Sequence, residues 1–336
     1  MHDRFFEETF SAENLFAAWD EFKKGKRRKQ DVAEFEYALE ERIFELQKEL
    51  LEGHYRHGSY HGFWITDPKQ RRIHKADVRD RVLHHAVFRA LDPIFEPAFI
   101  HDSYSCRIGK GNHRGVERMA SMLRTVSRNN TLPCFVLKCD IKKFFDSVDH
   151  EILLCILGEK VKDERMRALL AEIVGKFTPG IPIGNLTSQL FANVYMNELD
   201  QFVKHRLRIP HYIRYTDDFI VIHRDEEKLR QGLGEIAVFL KKALKLELHP
   251  HKVTLRKYAQ GIDFLGYVQF PHHRLLRSRM KRKILKRARN GMSGESLQSY
   301  LGVLSHADSH EFAEKLRNAF FFAGNKTKRP GNNPGA

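Results

Sequence analysis

The stretch Tyr215-Thr216-Asp217-Asp218 sets two carboxylates side by side between apolar, β-branched runs. Adjacent acids repel each other, and a chain that keeps such a pair at a turn does so to advantage when a cation is there to be bound. His211-Tyr212-Ile213-Arg214-Tyr215 precedes the pair and Phe219-Ile220-Val221-Ile222-His223 follows it. Both runs read as strands, so the acids fall at or near the turn of a β-hairpin. Asp is also a common turn residue, and the pair gains meaning only with a third carboxylate. Asp140 supplies one, closing the strand-like run Cys134-Phe135-Val136-Leu137-Lys138-Cys139-Asp140 ahead of Ile141-Lys142-Lys143-Phe144-Phe145-Asp146.

A strand-end acid and a hairpin acid pair suit in-line nucleotidyl transfer. That reaction uses one cation to activate the attacking hydroxyl and a second to neutralise the triphosphate, about 3.5–4 Å away. Magnesium favours such oxygen ligands and leaves positions for substrate oxygens. This is the layout of a polymerase palm, and the chain resembles reverse transcriptases. The resembling blocks run in order from about residue 60 to residue 270: Pro68-Lys69-Gln70-Arg71-Arg72-Ile73, Asp80-Arg81-Val82, Ser103-Tyr104-Ser105-Cys106-Arg107-Ile108-Gly109-Lys110-Gly111, the Asp140 run, then 180–193, 215–218, 246–253 and 262–267. The resemblance implies an α+β right-hand polymerase fold with fingers, a palm of antiparallel sheet backed by helices, and a helical thumb. The expected division is an N-terminal helical extension over 1–55, fingers over 56–133, palm over 134–272 with a fingers insertion around 158–185, thumb over 273–323 and a disordered tail over 324–336.

The resemblance also implies roles. Asp140 and Asp217 bridge two magnesium ions, for which manganese can substitute; Asp218 is more peripheral, and the carbonyl of Ile141 reaches the triphosphate-side ion. Lys69 and Arg71 meet the β and γ phosphates, Arg as a planar fork and Lys as a point charge, with Arg72 a rival to Arg71. Lys252 protonates the leaving pyrophosphate or contacts phosphate. Phe145 stands where an aromatic ring excludes a 2′-hydroxyl, the alternative being a core aromatic beside Phe144. Ile183, Gly184 and Gln189 border the nascent base pair, and Arg107, Lys110, Tyr215, Gly266, Arg279 and Lys283 meet nucleic acid. The partners implied are template RNA, the RNA/DNA primer-template duplex and deoxynucleotides.

Composition agrees. With 58 basic and 43 acidic residues in 336, the formal charge is +15 and the pI about 9.6, which favours a polyanionic partner and salt-dependent binding. No apolar stretch reaches the length of a membrane span and the first residues lack a signal pattern, so a cytoplasmic protein is expected. Cys106, Cys134, Cys139 and Cys155 form no CxxC pair and are expected as reduced core thiols without a disulfide. The 19 histidines lack the ligand spacing of a structural zinc site.

Periodicity predicts one or two amphipathic helices over 12–53, helices over 78–91 and 112–128, and a helix after the N-cap Asp149. A stripe through Leu190, Phe191, Val194, Leu199, Phe202 and Val203 predicts a core helix within 187–206, followed by a helix over 225–245 and strands within 253–270. The basic run from Arg277 to Arg289 reads as a thumb helix along phosphates or as a solvated face.

Most reverse transcriptases carry Gln-Gly and Ser-Pro where this chain has Ile183-Gly184 and Ser188-Gln189. The variant pattern is similar to diversity-generating retroelement enzymes, which copy a template-repeat RNA and mutate selectively at template adenines. An apolar Ile183 removes a hydrogen-bonding group near the base pair and, with it, discrimination. Membership there implies a small basic oligomeric accessory protein as a further partner. The absence of a region past the thumb disfavours a maturase-bearing intron enzyme. A stand-alone antiphage or group II-like reverse transcriptase of ordinary fidelity, a silent RNA-binding scaffold and an RNA-dependent RNA polymerase are the competing expectations.

Overall fold

Helical and strand-like segments alternate along the chain much as their periodicities require. The computed structural model describes residues 4–66 and 70–326, side chains of 323–326 excepted. Helices α1 (Phe5–Thr9), α2 (Ala12–Phe22), α3 (Gln30–Tyr37) and α4 (Leu39–Leu51) come first. The one or two helices expected over 12–53 are thus three: the run breaks in the basic stretch 23–29, where Gly25 takes a φ of +70°, open to glycine without steric cost. Strands β1 (His61–Ile65) and β2 (Arg71–Lys75) pair antiparallel, with Phe63 opposite Ile73. After α5 (Val78–Phe95) and α6 (Asn112–Val126), β3 (Phe135–Asp140) ends on the predicted acid. Helices α7 (Phe144–Ser147), α8 (His150–Lys160), α9 (Glu164–Gly175) and α10 (Leu186–Gln201) lead to the expected hairpin, β4 (Tyr212–Tyr215) and β5 (Asp218–His223). Then come α11 (Glu226–Ala243), β6 (Thr254–Lys257), β7 (Ile262–Phe264), β8 (Tyr267–Gln269), β9 (Arg274–Leu276), α12 (Ser278–Arg289), α13 (Gly294–Leu304) and α14 (His310–Lys326). The tail expected to be disordered from 324 therefore begins as helix, and 327–336 lie outside the described residues.

This is an α+β chain whose largest sheet has the order β4-β5-β3-β6. Its residues gather into two compact units. The first comprises the chain to 108 with 139–219 and 231–253; the second comprises 109–138, 220–230 and the chain from 254.

In the first unit α10 is buried on more than the one stripe expected. Leu190, Phe191, Val194, Tyr195, Met196 and Leu199 are joined in the interior by Ser188, Asn193 and Asp200. Each large apolar side chain so buried contributes about 1.5–3 kcal/mol, while the polar ones must find partners. Asp149 caps α8 as expected, accepting from the Ile152 N–H at 3.1 Å, and its second oxygen accepts from Lys245 at 2.6 Å. That ammonium, followed by the cap, holds the Asp149 carboxyl below its ordinary range. The α10 helix continues into one π turn, Phe202–Arg206, where Phe202 stacks on Phe239.

In the second unit β7, β8 and β9 form a meander. Its first turn has Leu265 at φ +47° and Gly266 at +94°, the two positive values of a tight two-residue hairpin. Helix α12 buries Ile284 and Ala288 and carries its basic residues around the remaining face. Among the described residues no helix is long and apolar enough to cross a membrane. The four cysteines are free thiols. Cys134 and Cys139 are buried as expected, but Cys106, in an irregular segment, and Cys155, on the outer side of α8, are exposed.

The first unit also holds a buried polar cluster that the sequence reading did not anticipate. Asp80 accepts from the Tyr55 hydroxyl at 2.8 Å and from the Gly58 N–H at 2.9 Å. His57 Nδ1 lies 2.8 Å from the Gly58 carbonyl, which can only accept, so that nitrogen carries the proton and Nε2 accepts from His84 Nε2 at 3.1 Å. This assignment leaves His84 Nδ1 as a buried acceptor with no partner. Burial, then the neighbouring His57, pushes the His84 imidazole well below its ordinary 6.5. Burial also lowers His85 to about 4.

Both groups bind protons more readily in the unfolded chain, so stability is fully present above about pH 6.5 and is lost as pH falls toward 4. Urea denaturation should give a midpoint that is flat above neutrality and falls across that window. Replacing His84 and His85 together by Gln should flatten the fall.

Candidate active site

Strand β3 delivers Asp140 and the β4–β5 turn delivers Asp217, both in the first unit. The main chain ties them together: the Ile141 N–H donates to the Asp217 carbonyl at 3.3 Å, and the His249 N–H donates to the Asp140 carbonyl at 2.7 Å. Ile141 also bridges to Leu248, so the 246–253 block flanks the acid on its other side. Thr216 makes the turn at φ +55°, a left-handed conformation uncommon for a β-branched residue. Burial, followed by the Asp140 carboxylate, pushes the Asp217 carboxyl above its ordinary range; Lys252 and Arg71 oppose the shift. Asp218 opens β5 and is half-exposed; burial, then the Asp218 charge, raises the Cys139 thiol.

Lys252 Nζ sits 2.7 Å from Asp140 Oδ1, the ammonium about two-fifths exposed and the carboxylate mostly covered. This ammonium is the ion-pair partner of Asp140. Among the described residues no three His, Cys, Asp or Glu side chains are gathered as a metal-ligand group. The donor set nonetheless fits hard cations. Asp140 and Asp217 repel each other and are partly neutralised by an ammonium, and magnesium is ordinarily held by one or two carboxylates, with substrate phosphates completing its shell.

Both rival arginines, neighbours on β2, line the adjoining cleft. Arg71 lies close enough to lower the Asp217 carboxyl. The Arg72 side chain lies over Gly62 of β1, its Nε 3.0 Å from where a Cβ would stand. Lys69 lies outside the described residues. A cleft of about 760 Å³ opens here, lined among others by Trp64, Arg71, His74, Lys176, Phe177 and Ile183.

Strand β2 also clamps the loop that carries Ile183. The His74 N–H donates to the Ile183 carbonyl and Asn185 Nδ2 donates to the His74 carbonyl, each at 2.9 Å. Gly184 is held at φ +114°, where a Cβ would come within 2.7 Å of Ile73, so glycine is required there on two counts. Ile183 is half-exposed and Gln189 lies on the first turn of α10. Phe145, half-exposed, meets the buried Phe144 edge-on at 5.4 Å. Its carbonyl accepts from the Ile181 N–H at 2.8 Å, and a Cβ on Gly180 would overlap that same carbonyl. The 180–184 segment therefore fixes both Phe145 and Ile183.

Of the residues expected to meet nucleic acid, Arg107 is corrected. Its guanidinium is 7 % exposed, pairs with Glu96 and donates to the carbonyls of Ile100 and Ser103 at 2.7 and 2.9 Å; it braces its own loop. Tyr215 is half-buried beside Ser105 and Cys106, and burial raises its hydroxyl. Lys110, Gly266, Arg279 and Lys283 belong to the second unit, where Arg279 is exposed on α12 and Lys110 precedes α6. The sequence reading missed Arg214, Asp200 and the His57–His84 cluster. An arginine inside the apolar run 211–215 and an aspartate within a core helix were the available signals.

The family model for reverse transcriptase (RNA-dependent DNA polymerase) matches residues 66–269. The chain is 26 % identical over 280 residues to Protein YkfC of Escherichia coli strain K12, covering 70 % of this chain and 71 % of that one. It is 25 % identical over 303 residues to the group II intron-encoded protein LtrA of Lactococcus lactis subsp. cremoris, covering 68 % of this chain and 49 % of the relative. It thus spans about half the length of that intron-encoded relative. A shorter match, 30 % over 136 residues, is to an uncharacterized 91 kDa protein in a cob intron of Schizosaccharomyces pombe.

Asp217→Asn should act in opposite directions on folding and chemistry. Relief of the repulsion with Asp140 raises the thermal midpoint measured without divalent ion by about 2–4 °C per kcal/mol gained. Nucleotide incorporation falls on the order of 10³-fold for want of positioned charge. Calorimetry and a single-turnover assay on the same sample check both.

Proposed function

The chain belongs to the reverse transcriptase family, enzymes that polymerise DNA on RNA, and we propose that it is the polymerase of a diversity-generating retroelement. On this reading it copies a template-repeat RNA into cDNA with errors concentrated at template adenines. The observation that carries the proposal is Ile183, an apolar, half-exposed side chain lining the cleft beside Arg71, followed by Gly184 and the Ser188-Gln189 pair. A site that cannot hydrogen-bond its substrate discriminates by shape alone, which is worth only about 1–3 kcal/mol.

Asp140 and Asp217 would hold two magnesium ions with the Ile141 carbonyl, and Asp218 would stand at the edge. Bound there, the ions would make the primer hydroxyl a better nucleophile and neutralise the triphosphate. Arg71 and Lys69 orient the triphosphate. Lys252, the present counter-ion of Asp140, moves to phosphate or donates a proton to the departing pyrophosphate. Phe145, held by the 180–181 segment, lies beneath the sugar and excludes a 2′-hydroxyl.

In the polymerase division, residues 56–133 act as fingers, 134–272 as palm with the 158–185 insertion, and 273–323 as thumb, where the basic face of α12 follows phosphates. Template RNA, the growing duplex and deoxynucleotides are the partners, together with a small basic oligomeric accessory protein, in the cytoplasm. A second reading, a group II-like enzyme of ordinary fidelity, is favoured by the likeness to the group II intron-encoded protein.

Primer extension with magnesium on a defined RNA template should yield cDNA whose errors cluster opposite adenine. Equal error at all four template bases overturns the retroelement reading and leaves the second, whereas no extension at all points to a silent RNA-binding scaffold. Ile183→Gln should lower adenine-directed error by roughly tenfold. Phe145→Ala should admit ribonucleotides about 10–200-fold more readily, the worth of one steric contact; parent-like exclusion removes the gate assignment.

A further inference from the structure

The acid hairpin itself carries a fully buried and fully paired charge. Arg214 and Asp200 are each 0 % exposed. Arg214 Nε donates to Asp200 Oδ1 at 2.7 Å and Nη2 to Oδ2 at 2.6 Å, a planar two-point fork. The second Nη2 proton serves Ser103 Oγ at 3.1 Å, and the two Nη1 protons serve Asn193 Oδ1 at 3.4 Å and the Thr216 carbonyl at 3.0 Å. All five guanidinium N–H groups are thereby accounted for. Tyr212 donates a further hydrogen bond to Asp200 Oδ1 at 2.7 Å.

An ion pair buried this completely gains little in stability over an apolar pair of the same volume, so its presence asks for another reason. The Thr216 carbonyl supplies one, because it belongs to the peptide group immediately before Asp217. The peptide group after Asp217 is held by the Ile141 N–H. The Cα of the acid is therefore pinned from both sides, by Arg214 on one and by the Asp140 strand on the other. Thr216 is kept in its left-handed conformation from its side chain as well, its hydroxyl donating to Ser105 Oγ at 2.6 Å. Ser105 is in turn fixed through its carbonyl by Asn193 Nδ2 at 2.9 Å. The main chain of 102–104 completes the back wall: the Arg214 N–H donates to the Asp102 carbonyl and the Tyr104 N–H to the Arg214 carbonyl, each at 2.9 Å.

We infer that Arg214, anchored by Asp200, is a positioning residue for Asp217, holding the 216–217 peptide so that the carboxylate stands at its working distance from Asp140 before any ion binds. Its planar fork is essential to this and its charge alone is not enough, since lysine cannot serve Asp200, Ser103, Asn193 and the Thr216 carbonyl together. The inference rests on the polymerase reading of the two acids.

Two variants test it. The double substitution Arg214→Met with Asp200→Leu replaces the ion pair by apolar volume, and Arg214→Lys keeps the charge without the fork. Each is measured for thermal midpoint, primer-template affinity, single-turnover incorporation, apparent deoxynucleotide KM and calorimetric binding of Mn²⁺ alone. The double variant should fold and bind primer-template as the parent does, yet lose about 10²-fold in single-turnover rate, the usual effect of a misplacement near 1 Å. Its Mn²⁺ binding should weaken, and its KM should change by much less than its rate. Arg214→Lys should show the same pattern to a smaller degree. A double variant that keeps the parent's rate and Mn²⁺ affinity overturns the inference and leaves Arg214 a packing residue, as does failure of both variants to fold. A parent protein that incorporates nothing strikes instead at the polymerase reading beneath it.

Discussion

Two carboxylates that repel each other have to be held together in advance of the cations that justify them. Asp140 and Asp217 are brought close by strand ends and a turn, and the Asp217 carboxyl records the strain through burial and its neighbour's charge. Much of the first unit can be understood as opposing that repulsion. Lys252 places an ammonium on Asp140, and main-chain hydrogen bonds tie Ile141 to Asp217 and His249 to Asp140. The turn itself is fastened from behind by a guanidinium that has no contact with solvent. Two acids on a loop would move apart and take up water. On β3 and a tight hairpin they cannot, and a hard cation would then meet a prearranged pair of oxygen donors.

The acids were legible in the sequence because their signal is local. A run of β-branched residues ending in Asp140 and two such runs around Asp217 and Asp218 describe strand ends without any knowledge of the remainder, and β3, β4 and β5 fall where those runs predict. Helix α8 was legible for the same reason, through Asp149 and its bond to the Ile152 N–H. What escaped the sequence was pairing over long separations. Arg214 reads as an oddity in an apolar strand until Asp200 and Ser103, the latter 111 residues away, are seen to meet it. Asp80 and Arg81 read as a family block, and only the fold places Asp80 against Tyr55 and the His57–His84 pair.

Arg107 illustrates the opposite error. The resemblance implies a nucleic-acid contact for Arg107, and a motif says nothing about which cations are already paired. Glu96, 11 residues earlier, takes that guanidinium, and two carbonyls of its own loop take the rest. Arg71 and Arg72, equally basic and adjacent, both line the cleft in the fold; Arg71 lowers the Asp217 carboxyl and Arg72 lies over Gly62.

The loop 180–185 joins two functions that the sequence presents as separate motifs. Its N–H at Ile181 fixes Phe145, and its carbonyl at Ile183 is held by β2 through His74. Gly180 and Gly184 permit those approaches, since a Cβ at either would collide with what it touches. The side chain expected to exclude a 2′-hydroxyl and the one expected to set fidelity are thus mounted on a single short support, itself tied to the strand that carries Arg71. A substitution in this loop has no reason to affect one property alone. On the proposed roles, sugar selection, base selection and triphosphate contact would be coupled through this loop, and an exchange at Ile183 would spare Phe145 only where it leaves the loop backbone undisturbed.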